Sequence, residues 1–411
     1  MPQRHLPSDA PRPPSVGNTD TYLTAAIEDI VTNYPPRSRY SHDQLHGLWS
    51  GPTAVAHLLL HVASRRPDLV VAGRSASDWA LRYLAEGSRG HNLRLGSRGC
   101  GLGDEALTYA ALRAAVTAKP QDIGRLVDYV EQLGLFACPD DSRGGGHGHG
   151  SSNNGSSSRG SNGDDYPDEM LYGRAGALYL LRLVRTRVRQ AGGNADAVDP
   201  AIAELSNAIL SRGPHWRWHG ARYLGAVHGD AGIVTQLVLA SPELAPRAQP
   251  ILERLLDVQR IDGNWPSAEE PAGGIGRGGS KELVQFCHGA PGVVLSLLAL
   301  RPHFPELHDR IDAAVARARD RIAERGLLTK EPSLCHGIFG NALALDPPRR
   351  EQFLAVATPE NVARLKMERG VFERADYGRS YSALASYTPS AVWTWLVWKD
   401  EEPAMFAYSD V

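Results

Sequence analysis

One pattern recurs along this 411-residue chain and constrains its fold more than any other feature. A short glycine-containing turn runs straight into an apolar stretch of helical character. The instances are SGPTAVAHLLLHVA from Ser50, GLGDEALTYAALRAAV from Gly101, YGRAGALYLLRLV from Tyr172 and HGDAGIVTQLVLA from His228. They continue with HGAPGVVLSLLAL from His288, HGIFGNALALD from His336 and a degraded YTPSAVWTWLVW from Tyr387. The seven units lie about 50 to 60 residues apart, apart from a longer second interval, and such a period marks a repeat architecture. Between them lie charged, amphipathic stretches at 119–133, 243–260, 306–324 and 349–366. In the third, Ile311, Ala314, Val315 and Ile322 recur at helical spacing. One helix pair per unit follows. Helices apolar around most of their circumference form an inner ring, and the amphipathic ones form a half-solvated outer ring. The fold class is all-α, an α/α toroid of seven helix pairs and one domain over residues 1–411. Strand signals are scarce, with WRWHGARYLGAVH from Trp216 the main non-helical candidate.

Glycine at each inner-helix start permits a positive φ and close backbone packing. It also leaves the first N–H groups of the helix pointing at whatever precedes them. Residues 142–165, almost wholly Gly, Ser, Asn and charge, read as a flexible insertion too poor in apolar surface to order itself. His147 and His149 inside it belong to that low-complexity run, and the Pro-rich segment at 7–14 reads as an extended arm.

The chemistry is concentrated in two tripeptides, Cys287-His288-Gly289 and Cys335-His336-Gly337. The whole chain has only four cysteines. Thiolate and imidazole together suit zinc. The 48 residues from Cys287 to Cys335 exclude a short-spaced zinc finger, so the ligands meet only by folding. Three ligands from two loops leave one tetrahedral position open, as catalytic zinc sites do. Adjacent residues diverge on a helix, so Cys335 and His336 can share a metal only from a turn, which Gly337 provides.

Composition narrows the class further. A net charge of −2 offers no global field for nucleic acid or anionic membrane. The N-terminal Met1-Pro2-Gln3-Arg4 lacks an apolar signal core, and no apolar run approaches the ~18 residues that span a bilayer. The sparse cysteines point to a reducing compartment, so the chain reads as cytoplasmic. Cys100 and Cys138 fit no ligand pattern and read as ordinary thiols.

The motifs LYGRAGALYLL, GAVHGDAGI, FCHGAPGVV and LCHGIFGNA, in that order, resemble the lanthionine synthetase C-like family over essentially the whole chain outside the insertion. The likeness is to the eukaryotic branch, which stands alone without a dehydratase domain. It implies a toroid of seven helix pairs and one zinc ion held by Cys287, Cys335 and His336. It also implies addition of a thiol across dehydroalanine or dehydrobutyrine. Bacterial members use a cysteine of the same peptide, and the eukaryotic branch uses glutathione on dehydroamino acids in proteins. Bacterial cyclases carry Arg four residues before the first zinc Cys. Here that place is Leu283, which argues against peptide cyclisation.

By the same resemblance His228 is the general acid that protonates the α-carbon, and Glu169 falls where bacterial members have a functional Asp. Glu169 also reads as a simple capping or solvated carboxylate. His288 orients a ligand or substrate. Lys330 and Arg4 bind the carboxylates of glutathione. Arg374, with Arg379 as the alternative, supplies a third cation. The seventh unit, lacking glycines, is expected to start its helix irregularly.

Two function classes therefore stand side by side: a glutathione-transferring enzyme, and a non-catalytic zinc- and glutathione-binding scaffold. An α/α-toroid glycosidase ranks last, because that chemistry needs paired carboxylates where this chain presents thiols and imidazoles.

Overall fold

The computed structural model describes residues 4–7, 15–137, 166–269, 282–374 and 381–411. Outside them fall the Gly/Ser-rich stretch with His147 and His149, Cys138, Arg379 and most of the Pro-rich arm. The helices are α1 (Thr19–Asn33), α2 (Pro52–Arg65), α3 (Ala76–Tyr83), α4 (Glu105–Thr117), α5 (Pro120–Gln132), α6 (Arg174–Gln190), α7 (Val198–Arg212) and α8 (Asp230–Ala240). They continue with α9 (Ala245–Asp257), α10 (Ala290–Leu300), α11 (His308–Arg325), α12 (Ile338–Leu343), α13 (Pro347–Val356), α14 (Pro359–Arg369) and α15 (Tyr387–Val397). A two-stranded ribbon, Val70–Val71 with Arg74–Ser75, is the only sheet among the described residues.

The inner helices close a ring. α2 packs on α4, α4 on α6, α6 on α8, α8 on α10, α10 on α12, α12 on α15, and α15 returns to α2. These helices are buried on nearly every side; in α8 only Leu239 escapes. Such all-round apolar character leaves a helix no solvent face, so it must sit inside. The outer partners α3, α5, α7, α9, α11 and α13 each back the inner helix before them. α11 buries the expected Ile311, Ala314, Val315 and Ile322, with Ala318 added. The seventh outer partner is α1, which packs on α15 and joins the first helix of the chain to the last.

The stretch 349–366 is not one helix. α13 stops at Val356, and Thr358 caps a new helix by accepting the Asn361 N–H. Pro359 has no N–H to continue α13 and suits a first helical turn. The seventh inner helix, expected to start irregularly, begins at Tyr387 as a regular helix with Pro389 in its first turn.

Two glycines show why the turns are built as they are. Gly289 opens α10 at φ +101°, and a Cβ there would lie 2.1 Å from the Leu283 carbonyl. Gly292, one turn on, lets the helix settle on its own entry loop, where a Cβ would meet the Phe286 carbonyl at 1.9 Å. The entry turns converge around a small apolar cavity lined by Trp49, Leu102, Met170, Val227, Phe286 and Leu384. Phe406, Ala407 and Tyr408, from the tail after α15, complete its wall. No helix among the described residues is long and apolar enough to cross a membrane.

Candidate metal centre and active site

Cys287, Cys335 and His336 come together. Their donor atoms all lie within 4.8 Å of one another, and all three side chains are buried. Backbone bonds between consecutive entry turns fix the arrangement. The Cys287 N–H donates to the Cys335 carbonyl at 3.2 Å, and the Cys335 N–H donates to the Leu384 carbonyl at 2.7 Å. Units five, six and seven are thereby stitched at the site.

A hydrogen bond links the two thiols. The bond from Cys335 is the largest effect on Cys287, holding its thiol well below the ordinary range against the opposing effect of burial. The same bond, with burial, pushes Cys335 well above that range. Two sulfurs and one imidazole in a buried, pre-aligned cluster are a donor set that a divalent zinc ion accepts, with both sulfurs then deprotonated. Cys100 is also buried, and burial raises its thiol, but it joins no such cluster among the described residues.

His228 stands at the entry turn of α8 with its Nδ1 2.5 Å from Glu169 Oε2. Glu169 acts as a capping carboxylate. Its carboxylate caps the turn by accepting the Leu171 and Tyr172 N–H groups, and it also engages His228. It is 2% exposed, so it is not a solvated carboxylate. With Nδ1 occupied, Nε2 is the nitrogen of His228 left for chemistry. The ring of His288 lies 5.8 Å from that of His228 and 5.5 Å from Tyr223. Burial pulls the pKa of His288 down, and its buried Nδ1 has no hydrogen-bond partner among the described residues.

The candidate glutathione cations come from three neighbouring segments. The Thr329 N–H donates to the Arg4 carbonyl at 3.0 Å, and the Thr329 carbonyl accepts from the Phe372 N–H at 2.8 Å. The Leu6 N–H donates to the Leu327 carbonyl at 2.7 Å, so residues 4–6 run beside residues 327–329. Arg4 and Arg374 are exposed at either side of this rung, with Lys330 next to its centre. Lys330 Nζ donates to Gln285 Oε1 at 3.0 Å, and Gln285 Nε2 lies 2.9 Å from Cys287 Sγ. Gln285 thus links the candidate cation to the candidate ligand. A lone glutamine two residues before Cys287 carries no signal in the sequence, so this link appears only on folding. Trp218, which lies flat on His228, was equally silent.

Residues 147–351 match the family model for lanthionine synthetase C-like proteins. The chain belongs to the lanthionine synthetase C-like family. Over 191 residues it is 30% identical to "Glutathione S-transferase LANCL1" of Danio rerio, covering 43% of this chain and 45% of that protein. Over 187 residues it is 30% identical to "LanC-like protein GCL1" of Arabidopsis thaliana, covering 43% and 41%. The chain thus spans less than half the length of the curated relatives it matches. Among solved structures, nisin cyclase superposes with a TM-score of 0.55 at 13% identity, over 91% of this chain and 93% of that one. That likeness is one of fold, and it confirms the helical toroid for this lanthionine synthetase C-like chain.

Proposed function

We propose that this chain adds the thiol of glutathione to dehydroalanine or dehydrobutyrine residues in proteins or peptides, with one zinc ion held by Cys287, Cys335 and His336. The observation that carries this reading is the buried thiol–thiol–imidazole cluster, whose Cys287 turn lies against the turn that carries the Glu169-held His228. The family membership and the transferase named among the relatives agree with it.

Zinc bound there supplies a Lewis acid that keeps an incoming thiol deprotonated near neutral pH. The residues of the chain do the rest. Cys287, Cys335 and His336 would hold the ion, which would activate the substrate thiol beside them. As sulfur bonds to the β-carbon, the alkene π pair moves toward the α-carbon and its carbonyl. His228, protonated on both ring nitrogens, then donates the Nε2 proton to the α-carbon while Glu169 accepts from Nδ1. The proton given up by the glutathione thiol returns through solvent to Nε2. Sulfur and hydrogen add across the double bond with no leaving group. His288, beside Cys287, orients the reactants.

Arg4, Lys330 and Arg374 bind the two carboxylates of glutathione, with Arg379 the alternative to Arg374. The backbone rung through Thr329 supports this assignment, because it gathers three of those cations from distant parts of the chain. The reaction consumes a reduced thiol, which fits a cytoplasmic setting.

The test is direct. Zinc-loaded protein should contain about one zinc per chain and convert a dehydroalanine peptide to its glutathione adduct faster than free glutathione does. Zinc retained by the Cys287→Ala, Cys335→Ala double variant would overturn the ligand assignment. Zinc and glutathione bound with no acceleration would leave the scaffold reading instead.

A further inference from the structure

The imidazole of His228 is not held by Glu169 alone. The indole of Trp218 lies flat against it, with ring centroids 3.9 Å apart and planes 4° from parallel. We infer that Trp218 is a positioning residue for the proposed proton transfer, fixing the plane in which His228 presents Nε2.

Geometry explains why two restraints are needed. The Glu169 bond selects which ring nitrogen faces the carboxylate, yet a single hydrogen bond leaves the ring free to swing about the line of that bond. A flat aromatic surface at stacking distance removes that freedom while leaving the in-plane nitrogens unobstructed. It also covers one face of the ring. The other aromatic neighbours meet His228 at a tilt: Tyr223 at 61° and His288 at 34°. Proton delivery to an α-carbon is sensitive to small misplacements, so a fixed ring plane bears on rate more than on binding.

The loop is built to put the indole there. Trp218 and Ala221 exchange both backbone hydrogen bonds, N–H to carbonyl at 2.9 and 3.0 Å. The two residues between them, His219 and Gly220, both have positive φ, +47° and +75°. This is the two-residue hairpin turn that suits Gly at its second position and tolerates few side chains at its first. A non-glycine residue held in that conformation is the kind of local cost that functional loops carry. The Trp218 ring is braced by His219, 4.3 Å away and tilted 64°, and by Tyr172, 6.2 Å away at 16°. Tyr172 follows Glu169 by three residues, and its N–H donates to the Glu169 carboxylate. The segment that supplies the carboxylate therefore also supports the indole.

The inference rests on His228 being the proton donor, and the experiment separates the two ideas. Zinc-loaded full-length protein is compared with Trp218→Leu, Trp218→Phe and His228→Ala, using glutathione and a dehydroalanine peptide. Trp218→Leu should lower kcat about tenfold while leaving KM for glutathione, zinc content and melting temperature near those of the parent. Trp218→Phe, which keeps a flat ring, should recover most of the loss. In NMR spectra the His228 ring protons should lie upfield in the parent and move downfield in Trp218→Leu, as the indole ring current is lost.

If His228→Ala lowers kcat but Trp218→Leu does not, the positioning role is wrong and the proton-donor reading stands. If His228→Ala leaves kcat unchanged, the proton-donor reading fails and this inference fails with it. A loss in Trp218→Leu that tracks zinc content or melting temperature, with no rescue by Phe, would make Trp218 a packing residue only.

Discussion

At the scale of single residues, the proposed function divides the site into a part that makes a nucleophile and a part that delivers a proton. The division is testable because the two share no side chain. His228→Ala should keep zinc and glutathione binding, since neither uses that imidazole, and should lower turnover by the ~10²–10⁴-fold typical of a lost general acid. Cys335→Ala should do the reverse at the first step, losing the metal while the helical signal persists, because the repeats are held by apolar packing. Metal analysis and far-ultraviolet circular dichroism check both. Much of this was legible in the sequence. The Cys-His-Gly repeats named the cluster, because a thiol and an imidazole beside a turn glycine form a pattern visible without the fold. His228, in contrast, was named only by the resemblance of GAVHGDAGI to the family's motif. Gln285 and Trp218 were not legible. Each acts through a contact made by a neighbouring element, and neither residue type at that position is unusual.

At the scale of the element, glycines with different surroundings should respond oppositely to the same substitution. Gly292→Ala places a methyl group 1.9 Å from the Phe286 carbonyl, so the helix must move off its entry loop. Such overpacking against backbone costs about 1–3 kcal/mol or more. Because Phe286 precedes Cys287, zinc content should fall as well. Gly124, inside α5, has open space where its Cβ would go. Gly124→Ala should therefore stabilise by about 0.5–1 kcal/mol through helix propensity alone. Urea unfolding of the two variants tests the pair. The same contrast shows what periodicity reads well and badly. The buried face of α11 followed from its apolar spacing, but the 349–366 stretch was read as one helix because its amphipathic character continues across the break. The Thr358-Pro359 step overrides that pattern locally.

At the scale of the whole molecule, the tail after α15 ties the ring together from inside. Tyr408 reaches α10 and α8 through its hydroxyl, at 2.5 Å from Ser296 and 3.2 Å from Thr235. The Asp410 carboxylate accepts from His57 and His61 of α2, at 3.0 and 2.9 Å, and from the Tyr179 hydroxyl of α6 at 3.0 Å. Burial raises Asp410, but the hydrogen bonds from the two histidines outweigh it and leave its pKa well below the usual carboxylate range. Burial lowers His61 to about 4.

Both shifts act in the same direction. A histidine whose folded pKa lies below its unfolded value of about 6.5 gives up stability as pH falls from 6.5 toward 4. Asp410, also depressed, adds its loss below about pH 4. The melting temperature should therefore fall through that acid range, and His61→Gln should flatten the fall. Asp410→Asn should destabilise by roughly 1–3 kcal/mol at neutral pH, because the amide cannot accept from both histidines and the Tyr179 hydroxyl as the carboxylate does.

The ring closure by α1 on α15 was not legible in the sequence, since nothing in α1 alone says which distant helix it will cover. The central claim concerns the entry-turn end of this ring, where zinc chemistry and His228 are proposed to meet. It is tested most directly by the configuration of the new α-carbon in the glutathione adduct, measured for the parent and for His228→Ala at equal zinc content. The parent should form one configuration in excess, and His228→Ala should form the adduct slowly and with that excess eroded. An adduct of mixed configuration from the parent, formed no faster than from free glutathione, would contradict the account.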